Sequence, residues 1–178
     1  MKDQELEFLR YPIGRFQIPD SYSKENINKW ITVLEEFPIR LEALVKHLTS
    51  AQLDSPYRPG GWTVRQLVHH ISDSHHHSYT RFKWALTEDT PLIKAYDEKL
   101  WADLVDSKTE PIQMSLEHLK AVQYKLVRLL KRLTDEELER AFIHPETNLE
   151  VPLKLNIALY AWHSEHHYAH IKNFLDRS

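Results

Sequence analysis

Four stretches of this chain repeat apolar side chains at steps of three and four, and that period, met four times, leaves little open but a bundle of helices. The first runs from about Lys24 to Leu48 through Trp30, Val33, Leu34, Phe37, Leu41, Leu44, Val45 and Leu48. Pro38 inside it is expected to bend the helix. The second opens at Thr63, whose hydroxyl and Gln66 three residues on form a capping-box signature, and reaches about Leu86. Ser115 is the expected cap of the third, which repeats Leu116, Leu119, Val122, Leu126, Leu129, Leu130 and Leu133. After a loop from His144 to Glu150 the fourth spans Leu153 to Leu175. The chain therefore reads as an all-α four-helix bundle, with residues 1–178 forming one domain large enough to bury a core.

The first helix ends in LTSAQL (48–53) and the third in LTDEEL (133–138), and each is followed by a loop and a histidine-bearing helix. Two helix pairs of similar plan are thus joined by the stretch from Thr87 to Met114, which carries Tyr96, Leu100, Trp101 and Leu104. That stretch is too long to link neighbouring antiparallel helices, so it is expected to cross the bundle and cover part of it.

Several function classes drop out. With 26 acidic and 23 basic side chains and a net charge of -3, the chain lacks the positive field that nucleic acid or an anionic membrane needs. It has no cysteine, which removes disulfides, thiolate metal sites and a thiol nucleophile, so any thiol chemistry must use an external thiol. Three glycines cannot write a dinucleotide fingerprint or a phosphate loop. The opening MKDQELEFLRYPIG is charged where a signal peptide is apolar, and no apolar run approaches a membrane span, so the expected location is the cytoplasm.

What remains is histidine. Nine of the 12 lie in the second and fourth helices, in VHHISDSHHHSYTRF (68–82) and YAWHSEHHYAHI (160–171). At about 100° per residue, with His163 at zero, His167 lies near 40°, His170 near -20° and His166 near -60°. Leu159, Tyr160 and Phe174 share that sector, so the stripe faces the core. The i, i+4 spacing at which two imidazoles converge on one ion can be drawn twice, as His163 with His167 or as His166 with His170, and spacing does not choose. Glu165 points the other way, which excludes a metalloprotease H-E-x-x-H. On the second helix a stripe through His70 also holds Asp73, Ser74, His77, Arg81 and Trp84, at the edge of the core face. His69, His75 and His76 point elsewhere and are expected to pack or to meet solvent. Asp73 is a candidate for orienting a ligand.

At four motifs, YPIG (11–14), SPYRPGGWTVRQLVHHISDSH (55–75), YDEKLWADL (96–104) and LYAWHSEHHYAHI (159–171), the chain resembles the DinB/YfiT-like superfamily and, within it, the bacillithiol S-transferase group. The resemblance implies a four-helix bundle holding one divalent metal ion per chain on His70, His163 and His167. His166 and His170 then become pocket residues, and many superfamily members carry glutamine at the position of His170. Three neutral imidazoles leave an ion its charge and an exchangeable position, as in catalytic sites, and zinc and nickel both suit such a set. The implied activity is transfer of a small thiol, bacillithiol or a similar one, to an electrophilic small molecule. His77 and Arg81 are expected to help hold substrate, Arg81 an anionic group of the thiol. A hydrolase of a small amide or ester and a non-catalytic metal-binding stress protein are the alternatives. The resemblance also suggests a homodimer, with Trp101 among its contacts.

Overall fold

The computed structural model describes residues 3–177. Its long helices are α2 (Lys24–Val45), α4 (Val64–Thr87), α7 (Ile112–Leu130) and α9 (Leu153–Leu175). Between them lie the short helices α1 (Asp3–Arg10), α3 (Ser50–Leu53), α5 (Glu98–Ala102), α6 (Val105–Thr109) and α8 (Asp135–Glu139), and a hairpin of β1 (Ala141–His144) and β2 (Leu149–Pro152). The helix α2 packs on α7 and α9, and α4 packs on the same two. Long helices that follow one another in the chain, α2 with α4 and α7 with α9, therefore stand at opposite corners of the bundle. No helix among the described residues is long and apolar enough to cross a membrane.

Local chemistry sets most boundaries. Thr63 caps α4 with the reciprocal box expected of it, its hydroxyl accepting from the Gln66 amide while Gln66 accepts from the Thr63 amide. The two LT-x-x-x-L segments are the short helices α3 and α8, closed by the same box on Thr49 with Gln52 and on Thr134 with Glu137. The helix α2 continues through Pro38, which is buried, and stops at Val45, so Leu48 lies in the turn beyond. Two expectations are corrected. The helix α7 begins at Ile112 behind Pro111, whose fixed φ suits a helix start, and Ser115 lies within it with its hydroxyl on His69. The stretch from His144 to Glu150 is the tip and second strand of the hairpin, in which Phe142 pairs with Val151 and His144 with Leu149, with Asn148 at φ 53° in the turn. Phe142, 1% exposed, anchors that hairpin in the core.

The core has two apolar parts. One gathers Ile31, Leu34, Phe82, Leu126, Phe142 and Ile157, the other Phe37, Leu41, Leu67, Ile71, Leu119 and Ile171. Between these parts along α4, α7 and α9 lies a buried polar layer that includes Ser74, His75, Gln123, Ser164, His166 and His167. Such a layer costs stability unless its groups are bonded to one another or to a ligand. The connection between α4 and α7 lies along α4 through α5 and α6, as expected, and stacks Tyr96 on His77 with ring centres 4.2 Å apart.

Candidate metal centre

The histidine stripe of α9 faces inward toward His70 on α4. One ring nitrogen from each of His70, His163 and His167 lies within 4.8 Å of the other two. His163 Nε2 and His167 Nε2 are 3.1 Å apart, and the His70 ring centre lies 5.6 Å from that of His163 and 5.2 Å from that of His167. Burial lowers the pKa of His70 to about 4, and burial followed by the neighbouring imidazoles holds His163 and His167 well below the ordinary histidine value. All three rings are neutral at pH 7 and each has a lone pair to give, which fits a divalent cation.

A second grouping, His166, His167 and His170, also converges within 4.8 Å. Its hydrogen bonds differ. His170 Nε2 donates to the Arg10 carbonyl at 3.0 Å, so in the neutral ring Nδ1 is the acceptor. That Nδ1 lies 3.2 Å from His167 Nδ1, which must then carry the hydrogen and leave the lone pair of His167 on Nε2, toward His163. His166 stacks on Trp162 with ring centres 4.4 Å apart, and its Nδ1 has no partner among the described residues.

The segment SPYRPGGWT roofs this cluster. The Tyr57 amide bonds to the Trp62 carbonyl and Gly60 takes φ 65°, making a tight turn. A side chain at Gly61 would meet Arg58 Cγ at 2.7 Å. The turn sets the Trp62 ring 4.8 Å from His70 and the Tyr57 ring 4.5 Å from His170. On the other side a cavity of about 300 Å³ reaches His70 and is walled by Ser74, Arg81, Tyr96, His144 and Tyr160, with Glu98 and Glu146 at its rim. The Ser74 hydroxyl lies 3.5 Å from His163 Nε2 and 3.4 Å from the Tyr160 hydroxyl. A larger groove of about 420 Å³ between α2 and α7 holds no histidine.

The residues singled out in the sequence separate as follows. His70 and Arg81 line the cavity, and His77 stands behind Tyr96. His166 and His170 lie deeper, beside His167. Glu165 is on the far face of α9, paired with Arg40 at 2.5 and 3.0 Å. Asp73 makes no hydrogen bond to a described histidine, and burial with the nearby Asp106 pushes it up to about 6. His76 is exposed, while His75 is wholly buried between Phe37 and Tyr160, its Nδ1 bonded to Gln123 and its ring centre 5.4 Å from that of His163. His69 is buried as well, donating through Nε2 to the Glu110 carbonyl and accepting from Ser115. His144 belongs to the cavity wall, and nothing in the helical period could have found it. Its only trace was the alternation of Phe142 and His144 ahead of the turn residues PETN.

The comparisons with known proteins agree on family and fold. Residues 34–171 match the DinB superfamily. The chain is 52% identical over 163 residues to the Bacillus subtilis (strain 168) protein named "Putative metal-dependent hydrolase YfiT", a match covering 92% of each. A Bacillus cereus (strain ATCC 10987 / NRS 248) relative named "Putative metal-dependent hydrolase" is 50% identical, over 95% of this chain and 96% of its own. The solved structure of YfiT from Bacillus subtilis, described as a probable metal-dependent hydrolase with an unusual four-helix bundle topology, superposes with a TM-score of 0.93 at 50% identity, over 96% of this chain and 97% of the other.

Proposed function

The chain belongs to the DinB superfamily, and from that premise we propose that it is a metal-dependent enzyme whose His70, His163 and His167 hold one divalent ion, zinc or nickel, to activate a small thiol for attack on an electrophilic small molecule. The observation that carries the reading is the convergence of three neutral imidazoles, one of which, His70, lines a cavity large enough for a small molecule. A divalent ion held by His70, His163 and His167 would supply Lewis acidity, which makes a thiol or water more acidic.

The chain's own residues do the rest. Burial keeps the three rings unprotonated, and the bond from His167 to His170, passed on to the Arg10 carbonyl, holds the His167 lone pair on Nε2. Trp62 and Tyr57 exclude water from one side of the cluster, so substrates enter from the cavity side. In the reaction the thiol loses its proton to solvent, a sulfur–carbon bond forms, and the leaving group departs with the bonding pair. A thiol from outside also suits a chain without cysteine.

A second reading is hydrolysis of a small amide or ester, with water as nucleophile, and the names of the Bacillus relatives favour it. One assay separates the two. Zinc- or nickel-loaded protein is given a model electrophile with and without added thiol. Transfer predicts a rate that requires thiol and saturates with it, whereas turnover equally fast in water alone ends the transferase reading in favour of the hydrolase.

A further inference from the structure

Arg81 is 8% exposed, and among the described residues it makes neither a hydrogen bond nor an ion pair. Arg65, of similar burial, shows what the fold ordinarily requires. It binds Asp54 at 2.7 Å and the Glu110 carbonyl at 3.0 Å. The Arg81 guanidinium has only the Phe142 ring, 5.9 Å from its carbon, and it faces the cavity that reaches His70. A largely buried cation without a counter-charge, its Nε sealed and unpartnered among the described residues, is costly, so its retention points to a ligand that supplies one.

One neighbour fits the same ligand. His144, on the cavity wall, has a buried Nδ1 with no partner among the described residues. Burial first, and the Arg81 charge after it, lowers its pKa, so the ring is neutral at pH 7 and can donate one hydrogen without adding charge. Glu98 and Glu146 stand exposed at the rim, and neither comes within ion-pairing distance of Arg81. Their charges disfavour a dianion, while the planar fork of a guanidinium matches a single carboxylate.

We propose that Arg81, with His144, forms a carboxylate-binding subsite, so that the cavity takes small molecules carrying a carboxylate at the Arg81 end and a reactive group at the His70 end. The inference rests on the reading of this cavity as the substrate pocket, but its test does not involve turnover, so a transferase and a hydrolase pass it equally.

The probes are 3-phenylpropionate and 3-phenylpropionamide, alike in shape and different in charge, titrated calorimetrically into zinc-loaded protein. The carboxylate is expected to bind at least about tenfold more tightly, a coupling typical of a charged pair shielded from water. Arg81→Gln is expected to abolish that preference with zinc content unchanged, and Arg81→Lys to keep part of it. Without ligand, the thermal midpoint of Arg81→Gln should equal or exceed that of the wild type, because an unpaired buried charge has been removed. A purely structural arginine would lower the midpoint and leave the preference intact, which would overturn the proposal. Equal binding of the two probes, or inorganic phosphate competing better than the carboxylate, would overturn it as well.

Discussion

Two histidine triads share His167 and each brings one nitrogen per ring within 4.8 Å of the other two, yet they differ in what their nitrogens already do. In the His166, His167 and His170 group, both nitrogens of His170 are engaged, one on the Arg10 carbonyl and one on His167. In the His70, His163 and His167 group, His70 makes no hydrogen bond to a described residue, and the Nε2 atoms of the other two face each other across 3.1 Å. Convergence alone therefore does not mark a ligand set. A ligand needs a lone pair with no other duty, and by that measure the His70, His163 and His167 group suits an ion, while the His166, His167 and His170 group suits orienting His167.

The largest effect that could break this comparison is loss of metal. His70→Ala, His163→Ala and His167→Ala should each abolish stoichiometric binding, measured as metal content after dialysis, while His76→Ala, an exposed change, should leave it at the wild-type level. Full metal in His163→Ala, or loss in His76→Ala, would show that another set of nitrogens binds the ion.

A smaller effect is expected at His170. Removing a partner that orients a ligand typically costs about 10–100-fold in metal affinity, so His170→Ala should weaken binding by that order in a chelator competition. His170→Gln should recover most of it, because the glutamine oxygen can accept from His167 Nδ1 while its amide donates to the Arg10 carbonyl. If His170→Ala loses metal as completely as His163→Ala, the His166, His167 and His170 group is the binding site. If glutamine does no better than alanine, the relay has no role.

The smallest expected effect concerns acid, and it sharpens the comparison by treating both triads together. Burial lowers His70 and His170 to about 4 and His75 and His166 to about 3, against about 6.5 in an unfolded chain. Because the folded values lie below the unfolded one, the unfolded chain takes up protons first. The stability these groups allow is complete above pH 6.5 and falls as pH drops from there toward 3 to 4. Thermal midpoints of metal-free protein should decline steadily below pH 6.5, and a midpoint that stays level down to pH 4.5 would mean that the rings are more hydrated than the packing indicates.

The long helices were legible because each keeps one period over many residues and because Thr63 and Gln66 carry their own start signal. The inward stripe of α9 was legible for the same reason, and its four histidines do face the interior. On α4 the stripe argument left open whether His69 and His75 pack or meet solvent, and both are buried. That reading assumes one buried face, but α4 is flanked by α7, α9, α5 and α6, so residues well round the helix from His70 are buried too. The hairpin was missed because its strands are four residues each, too short for alternation to stand out, and its anchor Phe142 finds its place only through distant parts of the chain. Which i, i+4 pair could face an ion was invisible to spacing. The distinction lies in a backbone carbonyl 160 residues away.

That carbonyl has a consequence for the order of events in folding. Arg10 and His170 meet across 160 residues, and Ser74 and His163 across 89. Contacts so distant in sequence form late, once nearer pairings have offset the entropy of closing such loops. The cluster can therefore assemble only after α9 has docked, and a nascent or stalled chain that still lacks this helix has no site to fill. Metal uptake would then serve as a certificate of completed folding, with the ion adding its binding energy to the finished molecule alone.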